Sequence, residues 1–215
     1  MSEAGVPQHA REVPMQGAEQ TAPTPTIADP VPIGLAGFAM TTFVLSAVNS
    51  GFFGGQTALP VVLGLTAFYG GLVQLLAGMW AFRKGETFPA LAFSSYGGFW
   101  LSYFFLVQFI VPSGAIPASV AGSATALYLI GWAIFTFYMT IAALRTSAAV
   151  LWVFITLTAT YVLLVLAELG VAAGTLLPIG GYVGITCAVT AWYVSFAHVT
   201  NATFKKDVVP TWPLA

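Results

Sequence analysis

An all-α membrane protein with six transmembrane helices and both termini cytoplasmic is the architecture this sequence predicts, and three observations predict it. Of 215 residues, 58% are hydrophobic and 6% charged, whereas soluble domains carry about 25% charged residues, so a folded water-facing surface could not be solvated. From Pro32 onward six apolar runs follow one another, roughly 32–50, 59–82, 89–111, 125–144, 149–168 and 178–198. At ~1.5 Å of rise per residue each reaches about 28 to 36 Å, enough for a ~30 Å hydrocarbon core. With six spans, the N-terminal tail, the second and fourth connectors and the C-terminal tail share one side. That side holds Arg11, Arg83, Lys84, Arg145, Lys205 and Lys206, which is every Lys and Arg in the chain. Chance would segregate six charges so completely about once in 32 trials, and cations accumulate in cytoplasmic loops, which sets the orientation in the cell membrane.

Residues 1–28 are polar and punctuated by Pro7, Pro14, Pro23 and Pro25. Such a stretch buries too little apolar area to offset its chain entropy, so a disordered cytoplasmic tail is expected there. It has no apolar stretch before Arg11 and does not read as a secretory signal peptide. Residues 29–200 then form the transmembrane domain and 201–215 a short cytoplasmic C-tail. Continuous apolar runs without period-two alternation favour helices over barrel strands, because lipid leaves backbone amides no partner outside their own segment or a closed barrel.

The first span, PIGLAGFAMTTFVLSAVNS, places Phe38, Thr42, Leu45 and Asn49 on one face, with Thr41 adjacent. An aromatic ring, hydroxyls and an amide on one stripe suit a narrow amphipathic passage. Threonines in membrane helices also bond back to the preceding turn, so for Thr41 and Thr42 both readings stay open. In the second span Ala67, Gly71, Gln74 and Gly78 share a face, which points Gln74 into protein as an interhelical hydrogen-bonding group or a pathway-lining amide. The third span offers Ser94, Ser95, Tyr96, Ser102 and Tyr103, and a mid-membrane tyrosine needs a hydroxyl partner, so Tyr96 is expected inside the bundle. The fifth span aligns Leu157, Tyr161, Leu164 and Glu168. In the sixth, Gly180, Gly184 and Ala188 recur every four residues as a packing seam whose partner helix, internal or in another subunit, is left open.

Several functions are disfavoured. Six dispersed cations at a formal net charge of −1 build no nucleic-acid-binding stripe. The single Cys187 excludes an internal disulfide and a cysteine zinc cluster. No metal constellation, cofactor motif, phosphate-cradling loop or nucleophile with a base stands out, so an enzyme is not expected. No Asp, Lys or Arg lies in mid-membrane: Glu168 sits at the outer end of span five and His198 at the inner end of span six, so a buried carboxylate relay is absent. Each of these two reads as an interfacial side chain, with a coupling or sensing role as the alternative. The residues therefore describe a bundle with a polar, uncharged, aromatic-containing interior, a conduit for a small polar solute.

Three segments, DPVPIGLAGFAMTTF at 29–43, FYGGLVQLLAGMWAFRKGETF at 68–88 and AFSSYGGFWLSY at 92–103, together resemble the acetate uptake transporter family of bacterial succinate/acetate permeases and fungal acetate transporters. The resemblance implies proton-linked or pH-dependent movement of acetate and related short carboxylates, with succinate as a further candidate, and assembly as a homohexamer with one pathway per subunit. It also implies a constriction formed by Phe38, Tyr96 and Leu157. Thr41, Thr42, Asn49, Gln74 and Ser95 are the further candidates for contacting substrate along the pathway. The chain departs from the family pattern at Asp29, where the signature has asparagine, and at Ser46 and Val48, where many bacterial members carry Asn and His, leaving Asn49. Asp29, just before Pro30, is expected to cap the first helix, with substrate contact as the alternative. A pH-dependent acetate anion channel and a non-transporting membrane sensor or scaffold are the rival functions.

Overall fold

A computed structural model describes residues 27–214. The tail expected at residues 1–28 therefore lies, but for its last two residues, outside the described residues. Six helices are long and apolar enough to span a membrane: α1 Val31–Asn49, α2 Pro60–Lys84, α3 Thr87–Ile110, α4 Ala121–Ala143, α5 Ala148–Glu168 and α6 Ala173–Phe204. Pro32 and Pro60 sit in the first turns of α1 and α2, where the missing amide hydrogen would have had no intrahelical acceptor. Gly85, at φ 77°, ends α2 in the left-handed conformation and lets α3 begin two residues later.

The helix α6 starts five residues before the apolar run and ends six after it, and at its end the polar residues at the membrane surface continue the backbone ladder. Thr200, Asn201 and Thr203 belong to that last helical stretch, which ends at Phe204. The helix α2 is interrupted by a wider π-helical turn, Phe68–Val73. This turn brings Gly70 against α1, where an added Cβ would stand 2.6 Å from Thr41 Oγ1 and 2.8 Å from Trp100 Cδ1 of α3.

Small residues fix the order of the bundle. The helix α6 packs against α1 on one side and α5 on the other, α5 continues to α4, and α2 pairs with α3 while crossing α1. At the α1–α6 contact an added Cβ on Gly181 would lie 2.7 Å from Ser46 O, and one on Gly184 would strike Ser46 Oγ. Gly180 faces Leu163 and Leu164 of α5. The seam read from Gly180, Gly184 and Ala188 is thus used within the subunit. Gly78 and Gly97 do the same for α2 and α3, against Ser94 and Leu75. The outward surface is apolar, with Leu127, Ile134, Phe137, Val189 and Phe196 more than half exposed, as lipid contact requires.

After α6 the chain turns back across the cation-bearing end of the bundle. The Asn201 carboxamide accepts from Val208 N and Val209 N, both at 2.9 Å, and donates to Val209 O. Trp212 stacks on Tyr193 at 5.9 Å, and Trp212 O accepts from Ala148 N at 2.8 Å. The C-tail thereby satisfies first-turn amides of α5 that would otherwise lack partners.

Candidate functional site

The stripes on α1 and α5 face each other across the bundle axis. Phe38, Thr42, Leu45 and Asn49 line one cavity together with Leu157, Tyr161, Leu164 and Glu168. This cavity, about 270 Å³, lies toward the cation-free end. A second, of about 310 Å³, lies toward the cationic end, with Leu35, Phe93, Phe154, Gln74 and His198 in its wall. Phe38 and Leu157 belong to both walls. The two spaces share these two side chains. Tyr96 of α3 lines the cationic-end cavity with its ring 5.7 Å from that of Phe38. Its hydroxyl bonds Thr136 Oγ1 of α4 at 3.0 Å, the partner that a buried phenol needs.

The remaining sequence candidates divide. Thr42, Asn49 and Gln74 line the cavities. Thr41 and Ser95 do not. Thr41 is fully buried, donates to Gly37 O at 2.9 Å and packs on Gly70 of α2, so the back-bonded reading describes it. Ser95 is half-buried and also outside both walls, because it is one residue, and so about 100° of helical rotation, away from the inward face of Tyr96. Thr42 Oγ1, Gln74 Oε1 and Trp100 Nε1 are buried without a hydrogen-bond partner. A buried unpartnered dipole costs about 1–3 kcal/mol, and all three residues border a cavity, where water or a polar solute can take the missing bond.

Sequence reasoning passed over Ser46, Gln56, Trp100 and Thr160, which also line the cation-free-end cavity. Ser46 and Thr160 could have been found, standing four residues from Thr42 and three from Leu157 on the same faces. Gln56 comes from the first connector and donates to Asn49 Oδ1 at 3.0 Å. Nothing local marks it.

At the cationic end three elements converge on Asp29. Its Oδ1 accepts from Val31 N at 3.1 Å, securing the start of α1, and lies 3.4 Å from Lys84 Nζ at the end of α2. Its Oδ2 lies 3.2 Å from His198 Nδ1 on α6. Lys84 also pairs with Glu86 at 2.7 Å. Partial burial pushes the Asp29 carboxyl up, but the bonds from His198 and Val31 and the charge of Lys84 outweigh it and hold the group below the usual carboxylate range. Pro30 occupies the N-cap position and Asp29, one residue before it, bonds the first helical amide; the same carboxylate also meets an imidazole. Neither cavity wall contains a Lys or Arg, and no group of three His, Cys, Asp or Glu suited to a metal occurs among the described residues.

Comparison with known proteins places this arrangement. The chain is 38% identical over 201 residues to Ammonia transport outward protein 2 of Saccharomyces cerevisiae, covering 90% of this chain and 68% of the relative. It is 36% identical over 198 residues to Acetate permease A of Emericella nidulans, covering 85% and 65%. It is 33% identical over 185 residues to the succinate-acetate/proton symporter SatP of Escherichia coli, covering 86% and 95%. The solved structure of the bacterial acetate channel SatP superimposes with a TM-score of 0.78 at 32% identity, over 86% of this chain and 99% of that one. The profile of the GPR1/FUN34/yaaH family matches residues 13–215, and the chain belongs to that family.

Proposed function

We propose that the chain is a transmembrane transporter that takes up acetate and related short carboxylates, including succinate, in a proton-linked way. The observation that carries this reading is the pair of cavities that share Phe38 and Leu157, whose walls hold hydrocarbon and neutral dipoles with Glu168 at one end, His198 at the other and no Lys or Arg. An anion at that neck would have no fixed cation to offset its lost hydration. Protonating a carboxylate of pKa about 4.5 at pH 7 costs only about 3.4 kcal/mol, from ~1.36 kcal/mol per unit. The acid thus crosses the Phe38, Tyr96 and Leu157 neck uncharged, or accompanied by its proton. Gln74 and Thr42 supply the dipoles on either side, because an amide and a hydroxyl each both donate and accept and so serve a carboxylic acid at both of its oxygens.

Both termini are cytoplasmic in this reading, supported by the segregation of all six cations. In this reading the subunits assemble as a homohexamer in which each keeps its own pathway, as the resemblance to the acetate uptake transporter family implies. Proteoliposomes given labelled acetate and an acid-outside gradient test the function. Accumulation above the electrochemical equilibrium of acetate is expected for a coupled carrier. A second reading, a pH-dependent acetate channel, is favoured by the solved relative called an acetate channel, and equilibration without accumulation would select it. Equal flux in empty and protein-containing vesicles would overturn both.

A further inference from the structure

We infer that His198, oriented by Asp29, is the group at the cationic end of the pathway that accepts the proton of an arriving carboxylic acid. The inference rests on the transport reading above and adds to it the atom at which the proton parts from the acid.

The cationic-end cavity is walled mainly by hydrocarbon, and its polar residues are Gln74, Tyr96, Thr146, Ser147, Thr211 and His198. Amide, alcohol and phenol oxygens do not take a proton from a carboxylic acid near neutral pH, whereas an imidazole does. His198 is therefore the one base in that wall. The groups around it are accounted for element by element. Asp29, ahead of α1, meets Nδ1 at 3.2 Å. Lys84 of α2 and Glu86 of the following turn meet Asp29 and each other. The start of α5 brings Thr146 and Ser147, and the C-tail brings Thr211 and Pro213, none of them charged.

An ionised carboxylate only accepts hydrogen bonds, so Asp29 requires the hydrogen of the neutral ring to sit on Nδ1. This leaves the lone pair on Nε2, and the ring lines the cavity. Asp29 is itself fixed by Val31 N and Lys84, so the base is held by α1, α2 and α6 together. In the step, the acid O–H bond breaks and its proton forms an N–H bond at Nε2. The acid leaves as a carboxylate. The imidazolium, balanced by Asp29, then returns the proton to water at the cationic end, and no further reactant is needed. Where a mere structural tie between α1 and α6 needs any hydrogen-bonding pair, this step needs a titrating ring with a fixed tautomer.

Two measurements on the full-length chain test it. In proteoliposomes with fixed outside pH, initial acetate uptake is followed while the inside pH is lowered, with empty-vesicle flux subtracted. The wild type should slow with one inflection as the ring becomes protonated from within. His198→Gln should cut the rate by at least about tenfold, at the low side of typical acid–base contributions, and abolish the inflection. Asp29→Asn should lower the rate, because an amide no longer dictates which ring nitrogen carries the hydrogen, and Asp29→Glu should restore it. A His198→Gln protein that keeps the wild-type inflection would overturn the inference. The second measurement is ¹⁵N NMR of the imidazoles in micelles, with the His198 signal identified by its loss in His198→Gln. A neutral ring protonated at Nδ1, and a signal that shifts when acetate is added, are expected. A proton on Nε2, or indifference to acetate, would overturn the inference. If wild-type vesicles move no acetate, the transport reading fails by itself and the spectra still decide the role of the ring.

Discussion

The cavities on the two sides of the Phe38–Leu157 neck are close in size, about 270 and 310 Å³, but their walls are chemically unlike. Toward the cation-free end the wall carries Thr42, Ser46, Asn49, Gln56, Thr160 and Tyr161. Toward the cationic end it is largely Leu35, Phe88, Phe93, Val150, Val153 and Phe154, with His198 near the mouth. A hydroxyl-rich vestibule can replace the hydration of a carboxyl group one hydrogen bond at a time, whereas a hydrocarbon one cannot. The difference locates where charge is tolerated. On the proposed reading an acid is gathered among dipoles beside Glu168, passes the rings without charge, and meets His198 after the apolar stretch.

The sharpest way to break that division is to remove the side chain both cavities share. Phe38→Ala joins the two spaces, and bulkier acids such as lactate and succinate should gain on acetate by at least about tenfold, the scale on which a tight pocket separates ligands of different size. Leu157→Ala should act in the same direction and less strongly, because less volume is lost. Competitive uptake of labelled acids in proteoliposomes reads the ratio directly. Because Phe38 already borders empty space on two sides, the stability cost should fall at or below the low end of the ~3–5 kcal/mol usual for a buried Phe→Ala. A folded Phe38→Ala protein with unchanged selectivity would remove Phe38 from the neck.

How far the sequence disclosed this division follows from the helical period. Residues spaced by three and four share a face, so the stripes Phe38, Thr42, Leu45, Asn49 and Leu157, Tyr161, Leu164, Glu168 could be written down beforehand, and all eight line one cavity. The period does not say how far each helix is rotated about its axis. That is set by its neighbours. Thr41 and Thr42 look equivalent in sequence, yet the π-helical turn of α2 brings Gly70 onto Thr41, which turns Thr42 toward the cavity. The contact of Asp29 with His198 spans 169 positions, and no local pattern encodes it. Hydropathy likewise located α6 but stopped short of its ends, since backbone hydrogen bonding continues past the point where apolar side chains give out.

Tyr96 sharpens the comparison from the other wall of the neck. Its hydroxyl is engaged by Thr136 at 3.0 Å, while its ring packs beside Phe38, Phe135 and Phe154. Tyr96→Phe keeps the ring and deletes the bond, leaving Thr136 without that partner. A loss of stability of about 0.5–1.5 kcal/mol is expected, read as a lowered melting temperature in micelles, with the selectivity between acetate and lactate preserved. A changed preference among acids at unchanged stability would instead place the hydroxyl in contact with the solute, and the neck would then be polar on one side.

The smallest effect is expected at the rim, where Asp29 holds the ends of α1, α2 and α6 together. Its carboxyl is held below the unfolded-chain value of 3.8, so the folded protein binds that proton less readily than the unfolded chain does. The stabilisation is fully present above the unfolded value and disappears as pH falls through the lower folded one. The side chain is 35% exposed, and solvent screening limits the contribution to below about 1 kcal/mol. Asp29→Asn should therefore melt lower than the wild type at pH 7, by no more than about 2–4 °C for a chain of this length. The gap should close on acidification and narrow with added salt. A gap that persists in acid would mean that Asp29 acts at the rim through a contact that asparagine does not reproduce, and not through charge. The contrast between a neutral neck and a charged rim would then have no consequence for stability.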